Sequence, residues 1–316
     1  MYAWPTDCPE PISHPPITDA PSDGEKVIRW IERFCVCGVG DKFGEPVKLE
    51  LFQRLLLCWL FEKRPGGGYR YRRALLEVPK GNGKSSLAAW VGLYQLAHQK
   101  SAVIPVCATS FDQADLIFGD MRDCVLQSPA LSAVMTAFDA VIQVDGSPSK
   151  AFRVPAVGGV NEGLRITTAI CDEIHELLSP SQRHVHDVLS NGCAKRQGTL
   201  MLNVTTPGYD VESVAGQLHT YGLRVNAGEI DDPGFLFVWF GADADKFDLN
   251  TPEGLHAAAG PRTLPPTRSC PSPTSRPGSI KPRSTSSSAT TWPGGPPPPP
   301  FGCRPAPGMR ALHPTR

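Results

Sequence analysis

Between positions 75 and 98 an apolar run breaks into a glycine-rich turn and resumes at once as a helical pattern. Few folds accommodate that order. Leu75-Leu76-Glu77-Val78 reads as the end of a buried strand, Pro79-Lys80-Gly81-Asn82-Gly83-Lys84 as the turn, and Ser85-Ser86 as hydroxyls ahead of apolar helical spacing from Leu87 to Leu96. A strand, turn and helix in this order set successive backbone N–H groups, a helix N-terminus and one ammonium around a polyphosphate. The Ser85 hydroxyl falls where such loops hold Mg²⁺. The full pattern G-x-x-x-x-G-K-[ST] wants Gly at position 78, where this chain has Val78. A bare Gly-Lys-Ser also opens ordinary helices, so a second half of the site is needed.

That half lies downstream. Ile166-Thr167-Thr168-Ala169-Ile170-Cys171 is an apolar, β-prone run that ends in Asp172-Glu173. An acid at the C-terminal end of a strand can hold Mg²⁺, and the next carboxylate can polarise an attacking water. Adjacent acids at a strand end are usually just solvated. Paired with a phosphate-binding loop they indicate a nucleotide-hydrolysing site.

The surrounding pattern alternates. Helices are expected over 22–34, 49–61, 84–98, 111–126, 181–190 and 212–225. Strands are expected at 69–78, 102–107, near 140–144 and 151–154, and at 166–171, 199–204 and 235–240. Strands alternating with helices imply an α/β fold, a P-loop NTPase with a mostly parallel sheet flanked by helices and ligands at the strands' C-terminal ends. Both phosphate-site motifs fall at such ends. Trp59, Trp90 and the Phe235–Phe240 cluster read as core.

Charge divides the 316 residues unevenly. After Glu253 there is no Asp or Glu, while eight of the 31 Lys and Arg lie there, leaving 23 basic against 31 acidic residues in the first 253 positions. The body carries no bulk basic signature, so any nucleic-acid contact must be local. None of the ten Cys forms C-x-x-C or joins His at zinc spacing. Cys58, Cys107 and Cys171 read as buried thiols. No segment reads as a signal peptide or a membrane span, and a reducing cytoplasm is expected. His175, His184 and His186 read as a solvated helix face rather than metal ligands.

Taken together, the motifs resemble the ATPase half of the tailed-phage terminase large subunit. Val78-Pro79-Lys80-Gly81-Asn82-Gly83-Lys84-Ser85 is similar to that family's variant loop, which often reads P-R-K-N-G-K-S and lacks the first Gly. Leu49-Glu50-Leu51-Phe52-Gln53 resembles the upstream element whose Gln reads adenine. Ala108-Thr109-Ser110-Phe111-Asp112-Gln113-Ala114 resembles an A-T-x-x-x-Q-A segment, and Gly163-Leu164-Arg165 through Asp172-Glu173-Ile174-His175-Glu176 resembles the Walker B region. Thr205-Thr206-Pro207-Gly208 resembles the Thr-rich coupling motif. The resemblance covers about residues 25 to 250.

It implies an ATP-hydrolysing, DNA-packaging motor using ATP and Mg²⁺. Lys84 would neutralise the β- and γ-phosphates, with Lys80, Gly81, Asn82, Gly83 and Ser86 around the nucleotide. Ser85 and Asp172 would hold Mg²⁺, and Glu173 would orient the attacking water. Gln53 would select adenine; Thr205 and Thr206 would sense the γ-phosphate. An arginine finger is expected, with Arg122, Arg153 and Arg165 all open as candidates. Double-stranded viral DNA, a terminase small subunit, a portal protein and a homo-oligomeric ring are the implied partners, in the cytoplasm of a host bacterium. Plainer readings stand beside these: Gln53 on an exposed helix face, and Thr205 and Thr206 capping the helix that starts near Val211.

Three segments are expected: a disordered Pro-rich arm (1–22), the ATPase domain (23–250) and a low-complexity Pro/Ser/Arg-rich tail (251–316). The tail has no carboxylate for the two-metal nuclease that the family carries after its ATPase, so nuclease activity is expected to be absent. A codon string for Lys281 to Gly294, read in another frame, can spell A-P-I-N-E-F-L-R-Y-H-L-A-G-W. That peptide is similar to the family's segment following the ATPase domain, so a frameshift is expected, with a genuine partner-docking tail as the alternative. Other readings are a DExH-type helicase-like ATPase, an inactive ATP-binding prophage remnant and an interaction protein working through its Pro-rich ends.

Overall fold

Strands β1 (Arg73–Glu77), β2 (Val103–Ala108), β6 (Thr168–Asp172), β7 (Leu200–Thr205) and β8 (Phe235–Trp239) are buried along nearly their whole length. A strand covered on both faces must be apolar on both, which is why these segments read as continuous hydrophobic runs rather than alternating ones. The computed structural model describes residues 10–38, 40–108, 111–155, 163–207 and 210–241. Of the chain's two units, Met1–Pro273 and Thr274–Arg316, the second lies outside the described residues, as does the whole expected tail.

The sheet has eight strands in the order β3-β4-β5-β2-β6-β7-β1-β8, with β3 (Met135–Ala137), β4 (Val141–Val144) and β5 (Lys150–Pro155) at one edge. From β5 to β8 every pairing is parallel; β3 with β4 and β4 with β5 are antiparallel. The expected sheet is thus found, with an antiparallel edge and one strand, β3, that a three-residue run did not announce.

Alternation along the strands sorts the helices into two layers. Ala74 and Leu76 of β1, Leu202 and Val204 of β7 and Leu236 and Val238 of β8 face one core. That core also holds side chains of α1 (Gly24–Phe34), α2 (Leu51–Leu60), α3 (Lys84–His98) and α4 (Phe111–Gln127). Leu75, Met201, Phe235 and Phe237 point the other way, into a second core with α6 (Pro180–Ala194) and α7 (Val214–Asn226). A four-residue helix, α5 (Pro129–Ser132), and a 3-10 turn at Ile174–Glu176 complete the elements. Trp59 and Trp90 are buried in the first core as expected, whereas the Cys58 thiol is only half-buried. No helix among the described residues is long and apolar enough to cross a membrane.

Helix starts follow local capping chemistry. Ser179 and Gln182 form a capping box around Pro180, and the Ser213 hydroxyl accepts from the Gly216 N–H at 3.0 Å. Ser213, not Thr205 or Thr206, therefore caps α7.

The N-terminal arm departs from expectation. From Glu10 onward it is not a loose tail but lies against the β8 edge: Ile12 N–H donates to the Trp239 carbonyl at 2.7 Å, and Trp239 N–H donates to the Ser13 carbonyl at 2.9 Å. Pro11 and Pro15 are buried and His14 stacks on Trp59 at 5.4 Å. Prolines, which cannot donate, suit an extended cover over a sheet edge. Residues 1–9 lie outside the described residues.

Candidate nucleotide site

Parallel pairing in the order β6-β7-β1 brings three C-terminal strand ends side by side, with Glu77 opposite Thr205 and Asp172 opposite Val204. The loops leaving those ends carry the phosphate-binding turn, the paired acids and the two threonines. Val78 N–H donates to the Thr205 carbonyl at 3.0 Å and so binds the base of the turn to β7.

The turn itself depends on glycine. Gly81 (φ 86°) and Gly83 (φ 69°) are left-handed, a conformation that costs other residues about 1 kcal/mol or more. Gly83 is also crowded: a Cβ there would sit 3.1 Å from the Gln53 amide nitrogen. The Asn82 side chain donates to the Pro79 carbonyl at 3.0 Å and closes the loop on itself. Lys80, Gly81, Asn82 and Gly83 are exposed, as a phosphate-facing turn requires.

Lys84 opens α3 and is 8% exposed; its ammonium lies 2.8 Å from Glu173 Oε1. The Ser85 hydroxyl donates to Asp172 Oδ2 at 2.8 Å. Thr206 donates to the Glu173 carboxylate through its N–H (3.2 Å) and its hydroxyl (3.3 Å). His175 Nδ1 is 2.8 Å from the Thr205 hydroxyl and 3.2 Å from Glu173 Oε2.

The neighbouring acids titrate in opposite directions. Burial pushes Asp172 up to about 6, opposed by the Ser85 hydrogen bond and the Lys84 charge and aided by the Glu173 charge. Burial raises Glu173 too, but the hydrogen bond and charge of Lys84, with Thr206 and His175, outweigh it and hold the carboxyl below its usual value. Glu173 has φ 46° and ψ 46°, rare for a residue with a side chain. Such conformations cost about 1–3 kcal/mol and cluster at working sites. Here the left-handed turn sends Asp172 toward Ser85 while Glu173 faces Lys84 and Thr206.

Ser85 and Asp172 together offer a hydroxyl oxygen and carboxylate oxygens. These hard donors suit Mg²⁺, which takes few protein ligands and keeps phosphate oxygens and waters for the rest. Among the described residues no group of three or more His, Cys, Asp or Glu forms a metal site.

Other expected residues go elsewhere. Gln53 is 5% exposed, not on an open helix face; its amide oxygen accepts from the Glu50 N–H at 3.0 Å, completing the α2 capping box, while its nitrogen abuts Gly83. Ser86 lies beside buried Asp120 on α4, whose carboxylate accepts from the Gly38 N–H at 3.1 Å. The solvated-face expectation holds only for His184: His186 is buried against Asn203 at 3.0 Å, and His175 belongs to the acid cluster. Arg122 pairs with Asp123, the Arg153 guanidinium lies over the Phe118 ring, and exposed Arg165 precedes β6 at its far end. Thr109, Ser110 and Gly208, and the Gln113 side chain, lie outside the described residues.

Sequence reasoning missed one pair, a buried Glu and a half-buried His. Glu77, the last residue of β1 and 2% exposed, has its Oε2 2.8 Å from His219 Nδ1 on α7. The only signal was a Glu inside an apolar run.

Residues 51–224 match the family model described as the terminase large subunit, ATPase domain. The large terminase subunit of Enterobacteria phage HK97 is 26% identical over 189 residues, which are 58% of this chain and 36% of that protein. The crystal structure of the HK97 bacteriophage large terminase superposes with a TM-score of 0.60 and 23% identity, covering 71% of this chain and 45% of that one, a likeness of fold. The chain spans less than half the length of these relatives. With more than half of its residues matched to the family and its motifs gathered at one end of the expected sheet, the chain belongs to the terminase large subunit ATPase domain family.

Proposed function

We propose that this chain hydrolyses ATP with Mg²⁺ at the ends of β1, β6 and β7 and uses that turnover to move double-stranded viral DNA. The observation that carries the reading is a chain of contacts at one sheet end: Lys84 with Glu173, Thr206 with Glu173, the Glu173 N–H with Asp172, and Ser85 with Asp172. The phosphate-binding turn stands directly before Lys84.

In this reading Lys84 leaves Glu173 for the β- and γ-phosphates, and Gly81, Asn82, Gly83 and Ser86 offer backbone N–H donors beside the charge of Lys80. Ser85 and Asp172 would hold Mg²⁺, whose charge would offset that of the phosphates. Glu173, freed from Lys84 and still held by Thr206 and His175, orients the attacking water. Gln53, against the turn, reads the adenine edge once its capping bond is exchanged. Thr206, already on Glu173, and Thr205, on His175, sense the γ-phosphate and pass its loss into β7 and α7.

A homo-oligomeric ring, a small subunit and a portal protein are the partners this reading implies, in the cytoplasm of a host bacterium. Residues 23–250 form the ATPase domain. The carboxylate-free stretch after Glu253 contributes no nuclease ligands.

Phosphate release from Mg²⁺·ATP tests the proposal. Wild type should turn over, and Glu173→Gln should bind nucleotide yet lose turnover by about 10²–10⁴-fold. Nucleotide binding without turnover in wild type would instead identify an inactive remnant.

A further inference from the structure

The opposite end of the same sheet carries a different chemistry. The segment Lys63-Arg64-Pro65-Gly66-Gly67-Gly68-Tyr69-Arg70-Tyr71-Arg72-Arg73 has five basic residues and no acid. It folds into a turn, closed by the Lys63–Tyr69 bridge, that leads into β1. Between this turn and the residues ahead of β7 lies an open cleft of about 540 Å³, lined by Arg64, Tyr71, Arg72 and Thr199 among others. β1 is five residues long, so the cleft lies about 17 Å along the strand from the phosphate-binding turn and is a separate site.

Three of the five cations are neutralised: Lys63 by Asp23, Arg70 by Glu62 and Arg73 by Asp232. The two that line the cleft are not. Arg64 Nε donates to the Gly67 carbonyl at 2.8 Å, and Arg72 Nη2 donates to the Arg196 carbonyl at 3.0 Å and the Thr199 hydroxyl at 3.3 Å. Arg196, beside them, likewise spends its guanidinium on the carbonyls of Ser101 and Lys100. Among the described residues none of these three guanidiniums has a carboxylate within 4.0 Å. Neutral carbonyls fix their direction without cancelling their charge, and each fork keeps further N–H donors. At the cleft wall Tyr71, 2% exposed, has a buried hydroxyl with no hydrogen-bond partner among the described residues. Gly66, Gly67 and Gly68 carry no side chains to obstruct the rim, and added Cβ atoms at Gly66 and Gly67 would meet nothing within 4 Å. A long polymer can therefore pass closely over the turn.

We infer that this cleft takes the phosphate groups of a nucleic-acid backbone, with Arg64 and Arg72 as its anchoring forks. Oriented, unneutralised guanidiniums match phosphodiester oxygens, and an open cleft with a glycine rim suits a chain crossing the surface rather than an enclosed small ligand. The surrounding body is acidic overall, so the contact is confined to this end of the sheet. Only the choice of duplex DNA as probe rests on the motor reading; the anion chemistry of the cleft does not.

Fluorescence anisotropy of the full chain with labelled duplex DNA, without nucleotide and across a salt series, tests the inference. Arg64→Ala and Arg72→Ala should each weaken binding severalfold and lower the slope of log affinity against log salt by about one. Their basal ATP turnover and melting temperature should stay at wild-type values. Arg64→Ala keeps the test clean, because the side-chain hydrogen bond it removes is to an exposed turn carbonyl and the Arg64 backbone bonds to Gly67 and Gly68 remain. Unchanged affinity and salt slope in the double variant would overturn the inference. So would complete competition by polyglutamate at a charge concentration where duplex DNA itself barely binds, which would assign the cleft to an acidic protein. Loss of turnover in wild type would sink the motor reading and leave this binding result standing.

Discussion

The two ends of the sheet use cations in opposite ways. At the C-terminal end of β1, Lys84 is held 2.8 Å from a carboxylate, and both acids of that cluster are shifted in pKa. At the N-terminal end, Arg64 and Arg72 rest on backbone carbonyls and keep their full charge. A charge that must be released and reset during turnover needs an internal counter-ion. A charge that waits for a polymer from solution needs only to be aimed. Both arrangements hang on the same five-residue strand, and on the proposed reading the sheet positions a chemical site and a docking site at its two ends.

The largest expected effect breaks the comparison at its chemical end. Lys84→Ala should abolish measurable ATP turnover, a loss of at least about 10³-fold, while DNA binding at the opposite cleft stays within twofold of wild type. A matching loss of DNA affinity would show that the two ends are not independent.

Acidity sharpens the same contrast. Because Asp172 titrates near 6, its protonation competes with Mg²⁺. The apparent Mg²⁺ affinity in turnover assays should fall up to about tenfold per pH unit below 6. Arginine-dependent DNA binding should show no break at that pH.

Stability should follow the opposite sign from an ordinary paired carboxylate. Folding raises Asp172 from 3.8 to about 6, so the folded chain holds a proton that the unfolded chain has lost between those values. Stability in the absence of Mg²⁺ is therefore greatest below about pH 4 with respect to this group and is lost as pH rises through about 6. Asp172→Asn should raise the denaturation midpoint at pH 7, by at most about 3 kcal/mol in stability, while eliminating Mg²⁺-dependent turnover. A fall in stability would show that its partners already compensate its burial.

The smallest effect concerns the turn. Gly83→Ala should cost about 1 kcal/mol from its left-handed backbone, with a further cost from the approach of Gln53, and should weaken ATP binding more than DNA binding. Thermal melting with and without ATP checks both parts.

Much of this architecture was legible beforehand because its signals are local. The helix expected over 84–98 forms at those bounds, since the glycine turn starts it and its apolar positions keep helical spacing. Lys84, Ser85, Asp172 and Glu173 could be named because each stands next to a strand end whose apolar run is itself visible. β3 was not legible, being three residues long and dependent on its pairing with β4. Nor was the ordering of residues 10–22, whose prolines read as a tail until Trp239 supplied the edge they cover.

By itself, then, the sequence determined the alternation of strands and helices, the glycine turn ahead of Lys84 and the placing of two acids at the end of β6. These follow from backbone preferences and side-chain periods that act over a few residues. Only the tertiary structure decided that Gln53 closes its own helix cap beside Gly83, that His175 joins Thr205 and Glu173, and that Glu77 meets His219. It also decided which arginines are neutralised and which are left to face a cleft. Those outcomes depend on which strand lies beside which and in what register, and sheet order is set by the packing of the whole core rather than by any one segment of the chain.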